Sequence, residues 1–202
     1  MKNNNFKKRT TKGYTIIETM VSLSIFSVII LSGMAALLNT NILYHKSQDM
    51  RSVLDSLSFI MEDMSRNLRT GYNYRCVIGD FSNSEANTPQ SCSTGGGIIF
   101  ETDVGDPSTI ADQWAYKVES TDNGATFNIS KSTDGGTTFV QLNSSEVRIN
   151  NISGFSVLGA VPPTADSQQP LVIIKLSGTV TFKNVVSPFS LQTSVSQRRV
   201  DI

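Results

Sequence analysis

Residues 14–38 are mostly Ile, Val, Leu, Met, Ala and Phe, with no proline among them. A helix of that length spans roughly 37 Å, more than the ~30 Å hydrocarbon core of a bilayer. A chain carrying such a segment has to place it in lipid or against other chains. Ser22, Ser24, Ser27 and Ser32 interrupt the run. A helical serine can bond back to the carbonyl one turn earlier, and small residues let helices approach closely. Glu18 fits less easily, because an acid deep in a bilayer costs about 2.5–3.5 kcal/mol on insertion scales.

The flanks bear on that cost. Lys2, Lys7, Lys8, Arg9 and Lys12 all precede Gly13, and no acid does. Of 17 basic and 17 acidic residues, 12 and 17 then remain after Gly13, a net of −5. The basic leader reads as a cytoplasmic, positive-inside flank of an inserted segment. The acidic remainder lacks the basic face of a nucleic-acid binder, so no nucleic-acid partner is expected.

Three readings of the segment compete. A secretory signal peptide has an apolar region of about 7–15 residues before a small-residue cleavage site. Gly33-Met34-Ala35 offers such a site, but the run is too long, continues past it and contains Glu18. An uncleaved single-span anchor fits the length and leaves Glu18 unexplained. Cleavage between Gly13 and Tyr14 makes sense of the acid by creating a cation. The freed amine of Tyr14 would lie one helical turn from Glu18. A carboxylate paired with an amine in a low-dielectric setting is tolerable where a lone one is not. An amine contributed by a neighbouring subunit would also set the register between subunits.

The basic leader, Gly13, aromatic Tyr14, Thr15, Glu18 and the apolar run resemble the class III signal of type IV pilins and pseudopilins. The resemblance implies a membrane prepilin peptidase that cuts after Gly13 and methylates Tyr14, with Glu18 in the family's assembly position. It departs from the family in having Tyr rather than the commoner Phe as first mature residue. It also lacks the mid-helix proline frequent in major pilins. The implied partners are the membrane, the peptidase and other pilin or pseudopilin subunits joined through this helix. The implied location is a single-pass membrane protein, N-terminus inside, that moves to an extracytoplasmic pilus or pseudopilus.

Beyond the apolar run, Met50, Val53, Leu54, Leu57, Ile60, Met61, Met64 and Leu68 recur at steps of three and four, the period of an amphipathic helix. Thr70-Gly71 supplies a stop, with glycine able to take the left-handed conformation. The expected organisation is a leader at 1–13, a membrane and assembly helix at 14–38, its amphipathic continuation at 39–70, and a β-sheet domain at 71–202. Residues 71–97 read as a loop of turn formers. The period then changes to two, at 97–100 and 114–118. Asn123-Gly124 and Asp134-Gly135 are hairpin signals, since both supply positive φ, and predict a meander at 114–119, 125–131 and 137–142. Further strands are expected at 155–158, 171–176 with 179–182, and 189–197, and a proline-rich loop at 159–170. In the last strand Phe189, Leu191, Thr193 and Val195 share one face. A long helix followed by an antiparallel sheet predicts an α+β fold, the helix packed on the sheet. The run 50–70, the strand at 171–176 and the closing Leu191-Gln-Thr-Ser-Val-Ser-Gln-Arg198 are similar to the larger minor pilins and the pseudopilin J type, which implies a place near the filament tip.

Cys76 and Cys92 stand 16 apart in a stretch rich in Gly, Ser and Asn. Neither belongs to a CxxC pair, so a zinc site has little support. A disulfide closing a surface loop on the exported side is the favoured reading, with two free thiols the alternative. No catalytic set is found: the single histidine, His45, lies between the two helix patterns, and GxSxG, HExxH and P-loop motifs are absent. Asp103, Asp106 and Asp112 share a loop that could chelate calcium, but they miss the EF-hand spacing and read more simply as solvated acids. No cofactor or metal is expected. The alternative to a filament subunit is a membrane-anchored extracellular binding module, which predicts an intact Met1.

Overall fold

The computed structural model describes residues 13–79, 81, 88–120, 124, 126–161, 168–182 and 185–198. Residues 1–12 of the leader expected at 1–13, Asn123 of the first hairpin turn and the paired prolines 162 and 163 lie outside the described residues. The chain forms one long helix and an antiparallel sheet, an α+β arrangement. It divides into two compact units, with the boundary between Ser47 and Gln48.

The first unit is helical from Ile16 onward, and every residue from 13 to 45 is exposed. Its serines turn their hydroxyls inward: Ser22 donates to Glu18 O at 2.8 Å, Ser24 to Met20 O at 2.8 Å and Ser27 to Leu23 O at 2.9 Å. Ser32 reaches Ile29 O at 2.9 Å, three residues back. These hydroxyls need nothing from water, which is the condition for a polar group to sit in lipid.

The second unit begins with the rest of the helix, α1 (Ile16–Thr70). Val53, Leu57, Ile60, Met61, Met64 and Leu68 are buried in one core with the sheet, while Arg51, Asp55, Glu62 and Arg66 are exposed. The strands are β1 (Tyr72–Val77), β2 (Cys92–Gly95), β3 (Gly97–Glu101), β4 (Trp114–Ser120), β5 (Phe127–Ser132), β6 (Val140–Gln141), β7 (Val147–Ile149), β8 (Gly154–Leu158), β9 (Leu171–Phe182) and β10 (Val185–Ser196). Their order is β1-β3-β4-β5-β7-β9-β8-β2, with β10 on β9 and β6 on β5, and all these pairs are antiparallel. Both glycine-marked turns join antiparallel pairs, β4 to β5 and β5 to β6.

Several expectations are corrected. Residues 71–97 are not one loop, because β1 and β2 lie within them. Tyr74 and Cys76 are buried, a period-two pattern masked by the surrounding turn formers. The third meander strand shrinks to the two residues of β6. The short strand β7 was not foreseen. The segments at 171–176 and 179–182 are one strand, since β10 pairs with β9 at every position from Leu171 to Phe182. β8 and β7 share the other edge of β9, and at the gap between them Asn150 N–H donates to Ser177 O at 2.8 Å.

The helix stops where expected, for a different reason. Gly71 is not among the residues with positive φ; that conformation falls to Asn73, at 54°. A Cβ on Gly71 would overlap the Phe100 ring and come within 2.8 Å of Glu101 O, so the glycine permits close approach. The Tyr74 hydroxyl donates to Leu68 O and, at 2.9 Å, to Gly71 O, taking over the helix-end carbonyls. Burial pushes the Tyr74 hydroxyl pKa well up, which keeps this donor protonated.

The sheet's two terminal strands are tied to each other. A disulfide joins Cys76 of β1 to Cys92 of β2, with Cα atoms 5.9 Å apart. Beside it, Cys76 N–H donates to Gln90 O at 2.9 Å and Gln90 N–H to Tyr74 O at 3.1 Å. The first and last strands of the path are thus joined, and β1 gains a partner on the side that β3 leaves open.

Candidate assembly site at the start of the helix

The residues singled out in the signal fall on the first turn of α1. Gly13, Tyr14 and Thr15 precede the helix, and Tyr14 is 81% exposed. Thr15 stands at the N-cap and Glu18 three residues on. Glu18 N–H donates to Thr15 Oγ1 at 3.3 Å, while Thr15 N–H donates to Glu18 Oε2 at 3.5 Å. This reciprocal pair is a capping box, which satisfies two of the backbone donors that every helix start leaves open.

The box adds a role for Glu18 that charge reasoning overlooked. Its carboxylate serves its own helix end, where the helix dipole favours a negative charge. The signal was legible, since Thr-x-x-Glu ahead of an apolar run is a sequence mark of a helix start. A carboxylate has about four lone-pair positions, so one long bond from Thr15 leaves room for a further donor. Exposed side chains surround it: Ile16 at 82%, Ile17 at 73% and Met20 at 65%. These apolar residues continue as Val21, Leu23, Ile25, Phe26 and beyond without any burial, a surface that water does not suit. Among the described residues α1 is the single helix long and apolar enough to cross a membrane.

The other residues noted from sequence are elsewhere. Cys76 and Cys92 meet in the sheet, away from the signal in sequence. His45 is exposed on α1 beside the Tyr44 ring, with 6.1 Å between ring centroids. Asp103 and Asp106 precede the short turn Ile110–Asp112, and Asp112 ends it ahead of β4. Sequence reasoning did not foresee the network that pins α1 to the sheet. Tyr116 OH donates to Asp63 Oδ2 at 3.2 Å and accepts from Asn67 Nδ2 at 2.8 Å. Lys131 Nζ lies 3.2 Å from the same Asp63 oxygen and 4.2 Å from the centre of the Trp114 ring. Lys131 thereby packs its charge against an aromatic face as well as an anion.

Comparison with known families gives one finding. The model of the prokaryotic N-terminal methylation motif matches residues 8–34. That span covers the end of the leader, Gly13, the capping box and most of the exposed apolar run. No curated protein and no solved structure matches the chain. The motif supports a type IV pilin-like class III signal, processing by prepilin peptidase and single-pass anchoring by the apolar helix.

Proposed function

We propose that the chain is a minor pilin or pseudopilin, a structural subunit cut after Gly13 and assembled through the N-terminal part of α1. The observation that carries this reading is the methylation motif lying over the exposed apolar start of α1. Pilin-like families with this signal are structural, so the reading assigns no reaction to the chain. In it, Glu18 and the capping box present a carboxylate to the methylated amine of a neighbouring Tyr14. Away from water such a pair is strong, and an unpaired acid is costly, so correct neighbours are favoured over misplaced ones. Sheet and disulfide belong on the oxidising, extracytoplasmic side. The size of the sheet and its two long closing strands support a minor, tip-proximal subunit of the pseudopilin J type.

The test is the N-terminus of the protein extracted from its native membrane, read by intact and peptide mass spectrometry. The expected species begins at N-methylated Tyr14. A start at Met1 would overturn processing and leave a membrane-anchored binding module. A start near Ala36 would make the segment a signal peptide. With processing established, Glu18→Ala is expected to insert into the membrane and to be lost from sheared filaments. Normal incorporation of that variant would remove the pairing role.

A further inference from the structure

The twelve-residue strands β9 and β10 form a hairpin in which β10 lies at a margin of the sheet. Among the described residues β9 is the single strand that pairs with β10, without a register shift from Val185↔Phe182 to Ser196↔Leu171. Bonds around the hairpin set its phase. Asn150 N–H donates to Ser177 O at 2.8 Å and Thr181 N–H to Glu146 O at 3.0 Å, so odd-numbered residues of β9 turn away from β10. The even-numbered ones turn toward it, and their partners on β10 are odd-numbered. Gln197 N–H, which donates to Pro170 O at 3.1 Å, continues that phase. The N–H and C=O groups of Val186, Ser190, Gln192, Ser194 and Ser196 therefore point outward, as does the C=O of Pro188.

Other margins of the sheet are closed. β1 and β2, at the ends of the strand path, are joined by the Cys76–Cys92 disulfide, and Gln90 bonds to β1. Past Ser196 the end of α1 takes the outward side, where Arg198 N–H donates to Arg69 O at 2.9 Å. Val186 to Ser196 is left as roughly 35 Å of edge. Exposed edges are ordinarily blunted by charge, a bulge or proline. No Lys, Arg, Asp or Glu occurs from Val185 to Ser196, and the ladder has no bulge. Pro188 is the one guard, and it stands at an outward position, where its missing N–H costs β9 nothing. On the core side Phe189 and Leu191 pack against the core but stay partly exposed, so the apolar layer is open at this margin. On the opposite side Ser190, Gln192, Ser194 and Ser196 are exposed.

We infer that the outer edge of β10 receives a strand from another protein chain, one without charge or proline and with an apolar side chain at every second residue. The backbone fixes the extended form, since a strand meets donors and acceptors that repeat at alternate residues. The edge offers a charged partner nothing to pair with, and a charge laid beside Phe189 and Leu191 would lose water without compensation. Apolar side chains at alternate positions would instead fall beside those two residues and extend the core. A second copy offering its own β10 fits less well. Paired along their length, two such strands lack two donors, one at each Pro188, whereas a proline-free strand leaves one missing. The inference concerns the sheet alone and stands whether or not the chain is cut after Gly13.

The probe is a labelled peptide with the sequence of Phe189–Gln197, which is uncharged, free of proline and alternating. It is titrated with the full-length chain in detergent and followed by fluorescence anisotropy. Saturable binding is expected, with slowed hydrogen exchange at the outward amides of Ser190, Gln192, Ser194 and Ser196. The amides of Leu191, Thr193 and Val195, already turned to β9, should change less. A peptide of the same residues, reordered to bring Phe, Leu and Val together, is expected to bind about tenfold more weakly. Gln192→Pro removes an outward N–H and no bond to β9, so it should fold and weaken binding about tenfold. Gln192→Ala keeps that N–H and should bind as the parent does. No saturable binding, equal binding of the reordered peptide, or undiminished binding by Gln192→Pro would each overturn the site. Self-association of the chain that Gln192→Pro abolishes would put a second copy at the edge and overturn the choice of partner. Should Gln192→Pro fail to fold, the exchange pattern decides alone: protection elsewhere than at the outward amides overturns the site.

Discussion

From residue 16 to residue 45 of α1 no side chain is buried, whereas six apolar side chains between Val53 and Leu68 are. Both stretches belong to the same helix. The first is apolar around its whole circumference and closes its serine hydroxyls onto its own carbonyls. The second carries an apolar stripe backed by Arg51, Asp55, Glu62 and Arg66. An all-round apolar helix needs lipid or other chains as its solvent, and a striped one needs a single protein surface. The contrast shows that the two stretches of α1 call for surroundings of different chemistry, and that the sheet supplies them for the second.

The largest expected effect separates the two stretches. Leu68→Ala removes a fully buried side chain and should cost the sheet domain about 3 kcal/mol in denaturant unfolding of the full chain in detergent. Leu23→Ala, in the first stretch, should change that unfolding by less than ~0.5 kcal/mol. A comparable loss from Leu23→Ala would mean that the first stretch packs on the domain, and the contrast would fail.

A comparable or slightly smaller effect is expected of the disulfide. Cys76 and Cys92 close a loop with a sequence separation of 16, and replacing both with serine should cost about 3 kcal/mol. The melting temperature of the domain should fall, while carbonate extraction of membranes should retain the variant as firmly as the parent. Loss of membrane retention would tie the sheet's closure to the first stretch after all.

The smallest effect is local and depends on pH. In the turn between β5 and β6 the Ser132 hydroxyl and the Thr138 amide donate to Asp134 at 2.6 and 2.8 Å. They lower its pKa to about 2. A carboxyl held lower in the folded chain adds stability that is complete above its unfolded value and lost as pH falls through the folded one. The turn should thus hold at pH 5 and loosen between about pH 4 and 2. The Thr138 amide resonance should titrate with a midpoint near the lower end. A midpoint near pH 4 would mean that the Asp134 bonds do not form in solution.

The helix pattern was readable because its signals are local. Val53, Leu57, Ile60, Met61, Met64 and Leu68 announce a buried stripe by spacing alone, and Phe189 to Val195 announce a half-buried strand in the same way. The capping box was written in Thr15 and Glu18 and was overlooked because the charge of Glu18 drew attention from its position. Tyr72 to Val77 was hidden for another reason. Its partners are β3 and the segment at Gln90, and turn formers between them mask its alternation. Asp103, Asp106 and Asp112 looked equivalent as a cluster, yet the loop uses Asp106 for its own turn, leaves Asp103 in solvent and seals an oxygen of Asp112. Glu101, wholly buried, carried no signal at all, since an acid ending a strand is ordinary.

By itself the sequence determined which part of α1 needs lipid or other chains, where the helix ends, and that strands follow. Those features depend on spacings of two to four residues along one chain segment, and hydrophobic periodicity reports them. Only the tertiary structure decided that β9 is one strand, that β1 and β2 are joined, and which carboxylate oxygens are closed off from water. These depend on residues far apart in sequence meeting in one place. The cost of burying a polar atom is set by whatever surrounds it there.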